Sequence, residues 1–195
     1  IGRGYLRCII GCMVAISTAL NARHRTSARE VFEELEALGY EQFEVNVHFS
    51  EDMVDETERM VRAGEIEVLS VHNYCPVPPG IERTLGGGDL FHFSSEDQEV
   101  RKQALRWTLR SIETADRLGA RFVVGHWGVV PMEGAKEVQH AALDRLRKGE
   151  AGGPELVRDA MERREAMARP YVERALDTFA KLLPKAREYG VRLGV

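Results

Sequence analysis

Apolar positions along the chain follow two alternating rhythms. Short runs in which nearly every residue is apolar or β-branched are separated by longer stretches whose apolar residues recur every three or four positions. The short runs are 14–20 (VAISTAL), 43–47 (FEVNV), 68–71 (VLSV), 122–125 (FVVG) and 191–195 (VRLGV), and each predicts a strand. The first helix is predicted to start at the capping box Ser27-Ala-Arg-Glu30, to carry Val31, Phe32, Leu35 and Leu38 on one face, and to close at Gly39. Ser50 caps a second, with Met53, Val54, Thr57, Met60 and Val61, stopped by Gly64. Ser95-Glu-Asp-Gln98 opens a third, with Leu105, Leu109, Ile112 and Leu118 as its stripe and Gly119 as its stop. Residues 131–169 are charged and helical, broken by Gly149 and Gly152-Gly153-Pro154, and predict one or two helices inserted after the fourth strand. Pro170 suits the first turn of a further helix with the stripe Val172, Leu176, Phe179, Leu182 and Leu183, kinked at Pro184.

The alternation βαβαβαβαβ implies a parallel sheet with right-handed crossovers. Open doubly wound sheets and (β/α)8 barrels both fit that order. An open sheet usually carries a glycine-rich phosphate loop after its first strand; here that position reads Ser17-Thr-Ala-Leu-Asn-Ala-Arg-His24. Pattern alone leaves the choice open.

Composition narrows the class. The 195 residues are 44% hydrophobic and 30% charged, too apolar for a disordered chain and typical of one soluble domain. No apolar run reaches the roughly 18 residues of a membrane span, so no membrane partner is expected. Three cysteines without dense spacing argue against a disulfide scaffold and for the cytoplasm. Lys and Arg number 27 against 31 Asp and Glu, a net charge of −4, which disfavours a nucleic-acid partner. Arg3 and Arg7 precede an apolar stretch from Cys8 to Ile16 that partly resembles a signal peptide, but Arg7 leaves too little apolar length before Cys12. The favoured expectation is that Met13 is the natural start and residues 1–12 are a tail or upstream readthrough.

The chemistry concentrates at strand ends. Three apolar runs each finish in a histidine: FEVNV at His48, VLSV at His72 and FVVG at His126. In a parallel α/β fold these lie at the carboxyl ends of the strands, where ligands bind. Imidazole there can ligate a metal or move protons near neutral pH. Glu44 alternates with Phe43 and Val45, so it is placed to point inward below His48; a buried carboxylate is costly unless paired. Glu44 and His48 are therefore the candidate catalytic groups, and Asn46, Asn73 and Trp127 the candidate substrate contacts. A single histidine after a strand is more often a loop or capping residue than a ligand; three at equivalent places make the joint case about even. His24, His92 and His140 are read as solvated or loop residues, Cys75 as a bystander and Trp107 as packing. For Trp127, packing and lining a pocket are equal readings. The irregular stretch 73–94, with three prolines and Gly86–Gly88, is long enough to be functional.

At these residues the sequence resembles the xylose isomerase-like barrel superfamily, which includes sugar phosphate isomerases/epimerases and endonuclease IV-type enzymes. The resemblance lies in ISTALN, LGYEQFEVNVH, SVHNYCPVP, LGARFVVGHWG and REYGVRLGV, and covers residues 13–195. It implies a (β/α)8 TIM barrel of about 250 residues, here truncated after about strand five, with a divalent metal (Mn, Mg, Co or Zn) at the carboxyl-end face. In metal-rich members the histidines ending strands three and four are ligands; those positions are His72 and His126. In the isomerases a glutamate right after strand five is the next ligand, so the chain reads as the N-terminal portion of a longer protein, the fragment alone being inactive. The implied reaction is proton transfer next to a carbonyl of a small carbohydrate. The alternatives are an endonuclease IV-like phosphodiesterase, which the acidic balance disfavours, and a non-catalytic sugar-binding barrel. A homo-oligomer is compatible with either.

Overall fold

The computed structural model describes residues 14–195. The proposed tail 1–12, Met13, Cys8 and Cys12 lie outside the described residues. In chain order the elements are β1 (Ile16–Ser17), α1 (Ala28–Ala37), β2 (Gln42–Val45), α2 (Glu51–Arg62), β3 (Glu67–His72), α3 (Gln98–Arg117), β4 (Phe122–Val124), α4 (Ala135–Lys148), α5 (Gly153–Ala180), α6 (Leu183–Glu188) and β5 (Arg192–Gly194). Among the described residues no helix is long and apolar enough to cross a membrane.

The chain divides into two compact units. The first holds the described residues up to Leu90 with Arg106–Gly125 and Pro184–Val195; the second holds Phe91–Leu105 and His126–Leu183. All five strands belong to the first. They are parallel and lie in the order β1-β2-β3-β4-β5. A doubly wound sheet reverses direction at a switch point. This sheet never reverses, which is the winding of a (β/α) barrel.

One face of the sheet is dry. Phe43, Val45, Val68, Val71 and Val123 are buried, and Phe43 packs its ring 5.0 Å from that of Phe32 on α1. Phe32 also meets Phe49, at 5.9 Å. Helix α1 buries Ala28, Val31, Phe32 and Leu35, while α2 buries Met53, Val54, Thr57 and Met60, as the 3.6-residue stripes predict, except that Leu38, just past the end of α1, is exposed and Val61 is only half-buried. Ser27 caps α1 by accepting from the Glu30 amide, but the reciprocal partner is not Glu30. Glu56 on α2 accepts from the Ala28 amide at 2.7 Å and from the Ser27 hydroxyl at 3.1 Å, so the box closes between helices.

Between β2 and β3 the register shifts. Phe43 pairs with Val68, whereas Glu44 pairs with Ser70, so Leu69 is an extra residue opposite no partner on β2. Its carbonyl accepts from the Arg121 amide at 3.1 Å.

Several elements depart from expectation. The first strand is only Ile16–Ser17, because the Ser17 hydroxyl accepts from the Ala19 amide and turns Thr18–Leu20 into a single 3-10 turn. Helix α3 is capped by Asp97, whose carboxylate accepts from the Glu99 amide at 2.8 Å, rather than by Ser95. Within the first unit, the buried face of α3 is Thr108, Ser111, Ile112, Thr114 and Ala115, continued by Leu118 just past its end, and Leu109 is only half-buried. Hydroxyls occupy that face because irregular backbone beyond β3 needs partners there. Pro170 lies inside α5 instead of opening a helix. Its ring deletes one amide donor, yet the helix formers Ala166–Arg169 and Glu173–Leu176 carry the helix through it. Pro184 falls in the first turn of α6, so it starts a new helix rather than kinking an old one.

Candidate functional site on the inner sheet face

The second face of the sheet carries a polar row. Register places Ser17, Glu44, Ser70, Phe122 and Arg192 side by side across all five strands. The Glu44 carboxylate accepts from Ser17 Oγ at 2.9 Å through Oε1 and from Ser70 Oγ at 3.0 Å through Oε2. A carboxylate has about four acceptor positions, so two remain. Glu44 is half-buried, and its inward placement agrees with the alternation between Phe43 and Val45. Neither serine was anticipated. Each is a hydroxyl set in a mainly apolar run, VAISTAL and VLSV, but only the register shows that both address the same carboxylate.

One step nearer the carboxyl ends, His72 pairs with Val124 and Val124 with Gly194. Asn46, two residues beyond Glu44, is 6% exposed. Its backbone N–H donates to Thr18 Oγ1 at 2.9 Å, while its side-chain Oδ1 is buried and accepts no hydrogen bond from the described residues. Such an acceptor ordinarily costs about 1–3 kcal/mol and marks a position where a hydroxyl or amide donor would be stabilising.

The turn after β2 holds His48, whose Nδ1 lies 2.9 Å from the carbonyl oxygen of Arg83. His72 Nδ1 lies 2.9 Å from the carbonyl of Asn73. Asn73 is fully buried and its amide is engaged at both ends: Nδ2 donates to Thr108 Oγ1 at 2.9 Å, and Oδ1 accepts from Ser111 Oγ at 2.9 Å. Ser111 Oγ also accepts from the Cys75 amide at 2.9 Å. This network fastens the chain beyond β3 to α3. Burial pushes the Tyr74 phenol well above its ordinary value, with the charge of Asp89 adding to it. Burial likewise pushes the Cys75 thiol up, which removes it as a nucleophile.

In the second unit, Trp127 stands edge-on between Phe93 (5.3 Å) and Phe179 (4.9 Å). It borders a cavity of about 280 Å³ lined also by Val129, Val172, Ala175 and Leu176. Val172 and Leu176 are 44% and 62% exposed, so these two members of the stripe expected to be core face this cavity instead, while Leu182 is buried as expected. Ser94 holds the segment after Trp127, donating to the Val129 carbonyl at 2.6 Å and accepting from its amide at 2.9 Å. His126, where the chain re-enters this unit after β4, is exposed, as are His24 and His140.

The described residues contain no group of three His, Cys, Asp or Glu side chains able to hold a metal ion. Of the two expected ligands, His72 ends β3 in the first unit and His126 follows β4 in the second.

A parallel sheet wound in one direction, apolar towards its helices and polar on its inner face and carboxyl ends, defines a TIM-barrel-type protein. The chain belongs to the xylose isomerase-like TIM barrel family, whose sequence profile matches residues 32–195. Among solved structures it is similar to a D-tagatose 3-epimerase-like protein, with a TM-score of 0.56 and 16% identity over 92% of this chain and 51% of that one. It is similar to the D-psicose 3-epimerase of Clostridium cellulolyticum H10, with a TM-score of 0.55 and 14% identity over 92% and 50%. A third is the 3-keto-D-glucoside 4-epimerase of E. coli, with a TM-score of 0.52 and 13% identity over 87% and 50%. The chain thus spans about half the length of each. At these identities the likeness carries the fold and not the reaction. No curated protein sequence matches the chain.

Proposed function

We propose that the protein acts in sugar isomerisation or epimerisation, moving a proton at the carbon next to a carbonyl. The observation that carries this reading is the inner-face row, with Glu44 held by Ser17 and Ser70, and the buried Oδ1 of Asn46, two residues further along the chain, without a partner among the described residues. Proton transfer at such a carbon needs a fixed base, and two hydroxyl donors from neighbouring strands fix the Glu44 carboxylate without exhausting its acceptor capacity. His48, just beyond the same strand, is the second group able to carry a proton near neutral pH. One group takes the proton to leave an enediolate; its return to the opposite face gives the epimer, and its return to the neighbouring carbon gives the isomer. Asn46 Oδ1 accepts from a sugar hydroxyl.

A divalent metal would polarise the carbonyl in such chemistry. The donors among the described residues fall short of holding one, so the steps above use this chain's own side chains, and His72 and His126 are two imidazoles that would add to a fuller donor set. That several solved structures of this fold are sugar 3- and 4-epimerases supports the substrate class.

The test is solvent exchange. The protein is incubated in D2O with a panel of ketohexoses and their phosphates, with and without added Mn, Mg, Co or Zn, and deuterium next to the carbonyl is followed by NMR. Incorporation that falls at least tenfold in Glu44→Gln and in His48→Asn supports the reading. No incorporation with any sugar under any metal condition, or full activity in both variants, overturns it.

A further inference from the structure

The segment between β3 and α3 does more than connect them. It makes one 3-10 turn, Arg83–Leu85, and there Arg83 and His48 exchange hydrogen bonds in both directions. The Arg83 guanidinium donates to the His48 carbonyl at 2.7 Å, and the Arg83 carbonyl faces His48 Nδ1 at 2.9 Å. The same guanidinium donates to the carbonyls of Ala22, at 3.0 Å, and of Arg25. One side chain therefore ties together the segments that follow β1, β2 and β3. A planar fork of five donors suits three carbonyls at once, as a lysine ammonium does not.

Gly86 makes the approach close enough. A Cβ at this position would stand 2.6 Å from the Val47 carbonyl and 3.4 Å from His48 Nδ1. The Gly86 amide donates to the Arg83 carbonyl at 3.1 Å, completing the turn.

A backbone carbonyl only accepts. The nitrogen facing it must carry the hydrogen, and in a neutral ring the other nitrogen must then carry the lone pair. From this geometry we infer that Arg83 is a positioning residue: it holds His48 as the Nδ1–H tautomer, so that Nε2 is the basic nitrogen beyond the end of β2. The consequence for catalysis rests on the proton-transfer reading above, because it names which nitrogen accepts the substrate proton. The tautomer itself does not depend on that reading.

The experiment is ¹⁵N NMR of the histidine rings in the full chain at about pH 8.5, where an ordinary histidine is neutral, without substrate. The wild-type His48 is expected to show a protonated Nδ1 and an unprotonated Nε2. Arg83→Ala releases the strap, and Gly86→Ala pushes it off the Val47 carbonyl while leaving Arg83 intact; both are expected to lose the Nδ1–H signal in favour of Nε2–H. Arg83→Lys is expected not to restore it. Amide spectra report whether each variant is folded, and if Arg83→Ala is not, Gly86→Ala and the wild type carry the test. A wild-type His48 protonated on Nε2, or an Nδ1–H signal undiminished in the folded variants, overturns the inference. The two readings fail separately. An inactive chain with His48 locked refutes proton transfer alone, and an active chain with His48 as Nε2–H refutes the lock alone.

Discussion

Replacing Asn73 by alanine separates a structural fastening from a substrate contact. The side chain is fully buried and loses two hydrogen bonds of 2.9 Å, one to Thr108 and one from Ser111. Each is worth about 1 kcal/mol net. Ser111 can turn its proton to the Trp107 carbonyl at 3.1 Å, and Thr108 keeps its bond to the Tyr74 phenol, so neither hydroxyl is fully orphaned. The void left by the missing amide adds about 1 kcal/mol, for a total of about 2–3 kcal/mol. In urea unfolding with a slope near 2 kcal/mol per molar, the midpoint should fall by about 1–1.5 M without a change of slope. A cycle with Ser111→Ala should show coupling of about 1 kcal/mol, because both residues share one network. A midpoint within about 0.2 M of wild type, with full additivity in the cycle, would refute the reasoning. If sugar affinity alone then fell, the substrate role expected from sequence would be the right one.

Other perturbations test other parts. Arg117 donates to Glu58 at 2.7 and 3.1 Å and holds that carboxyl below the usual glutamate range. A carboxylate depressed in the folded state contributes stability above its unfolded pKa, near 4.3, and loses it as pH falls through the folded value. Glu58→Gln should therefore lower stability at pH 7 and flatten its decline below about pH 4.5, read from urea midpoints; an unchanged acid limb would contradict this. Glu56→Ala removes the acceptor shared by Ser27 and the Ala28 amide and should cost about 1 kcal/mol in the same assay. Leu176→Ser, at an exposed position lining the Trp127 cavity, should change stability by less than about 0.5 kcal/mol while reducing binding of an apolar fluorescent dye. Dye binding equal to wild type would show that the cavity is not the apolar surface the dye finds.

What could be read from the sequence was set by period. Phe43, Val45 and Val71 alternate with polar residues and 122–125 form a short continuous apolar run, so β2, β3 and β4 were visible, and Glu44 stood out as a carboxylate on an inward position. Helices α1 and α2 bury the residues their spacing nominated except at the C-terminal ends, where Leu38 is exposed and Val61 half-buried. Helix α3 was misjudged because leucines mark an apolar stripe, while the buried face also had to supply Thr108 and Ser111 to backbone that no periodicity describes. Arg83 was invisible for a related reason: its partners are carbonyls of residues 22, 25 and 48, and carbonyls leave no trace in a sequence. Asn73 was noticed for its type and its neighbour His72, and the structure gives it an interior occupation. The choice between a barrel and a doubly wound sheet rested on strand order, which pattern does not encode.

Leu69 has a consequence out of proportion to its chemistry. Val68 and Val71 both lie on the dry face although three residues apart, and only an extra residue between them permits it. Were Leu69 to pair in step with Glu44 instead of bulging out, Ser70 and His72 would rotate into the helix layer while Val71 turned towards Glu44. The chain should then tolerate many side chains at position 69, and even its deletion should keep Ser70 opposite Glu44, because Val68, Ser70, Val71 and His72 alternate regularly once the extra residue is gone. The bulge, rather than any functional group, decides whether β3 contributes a serine and a histidine to the carboxylate's side of the sheet or two misplaced polar groups to the core.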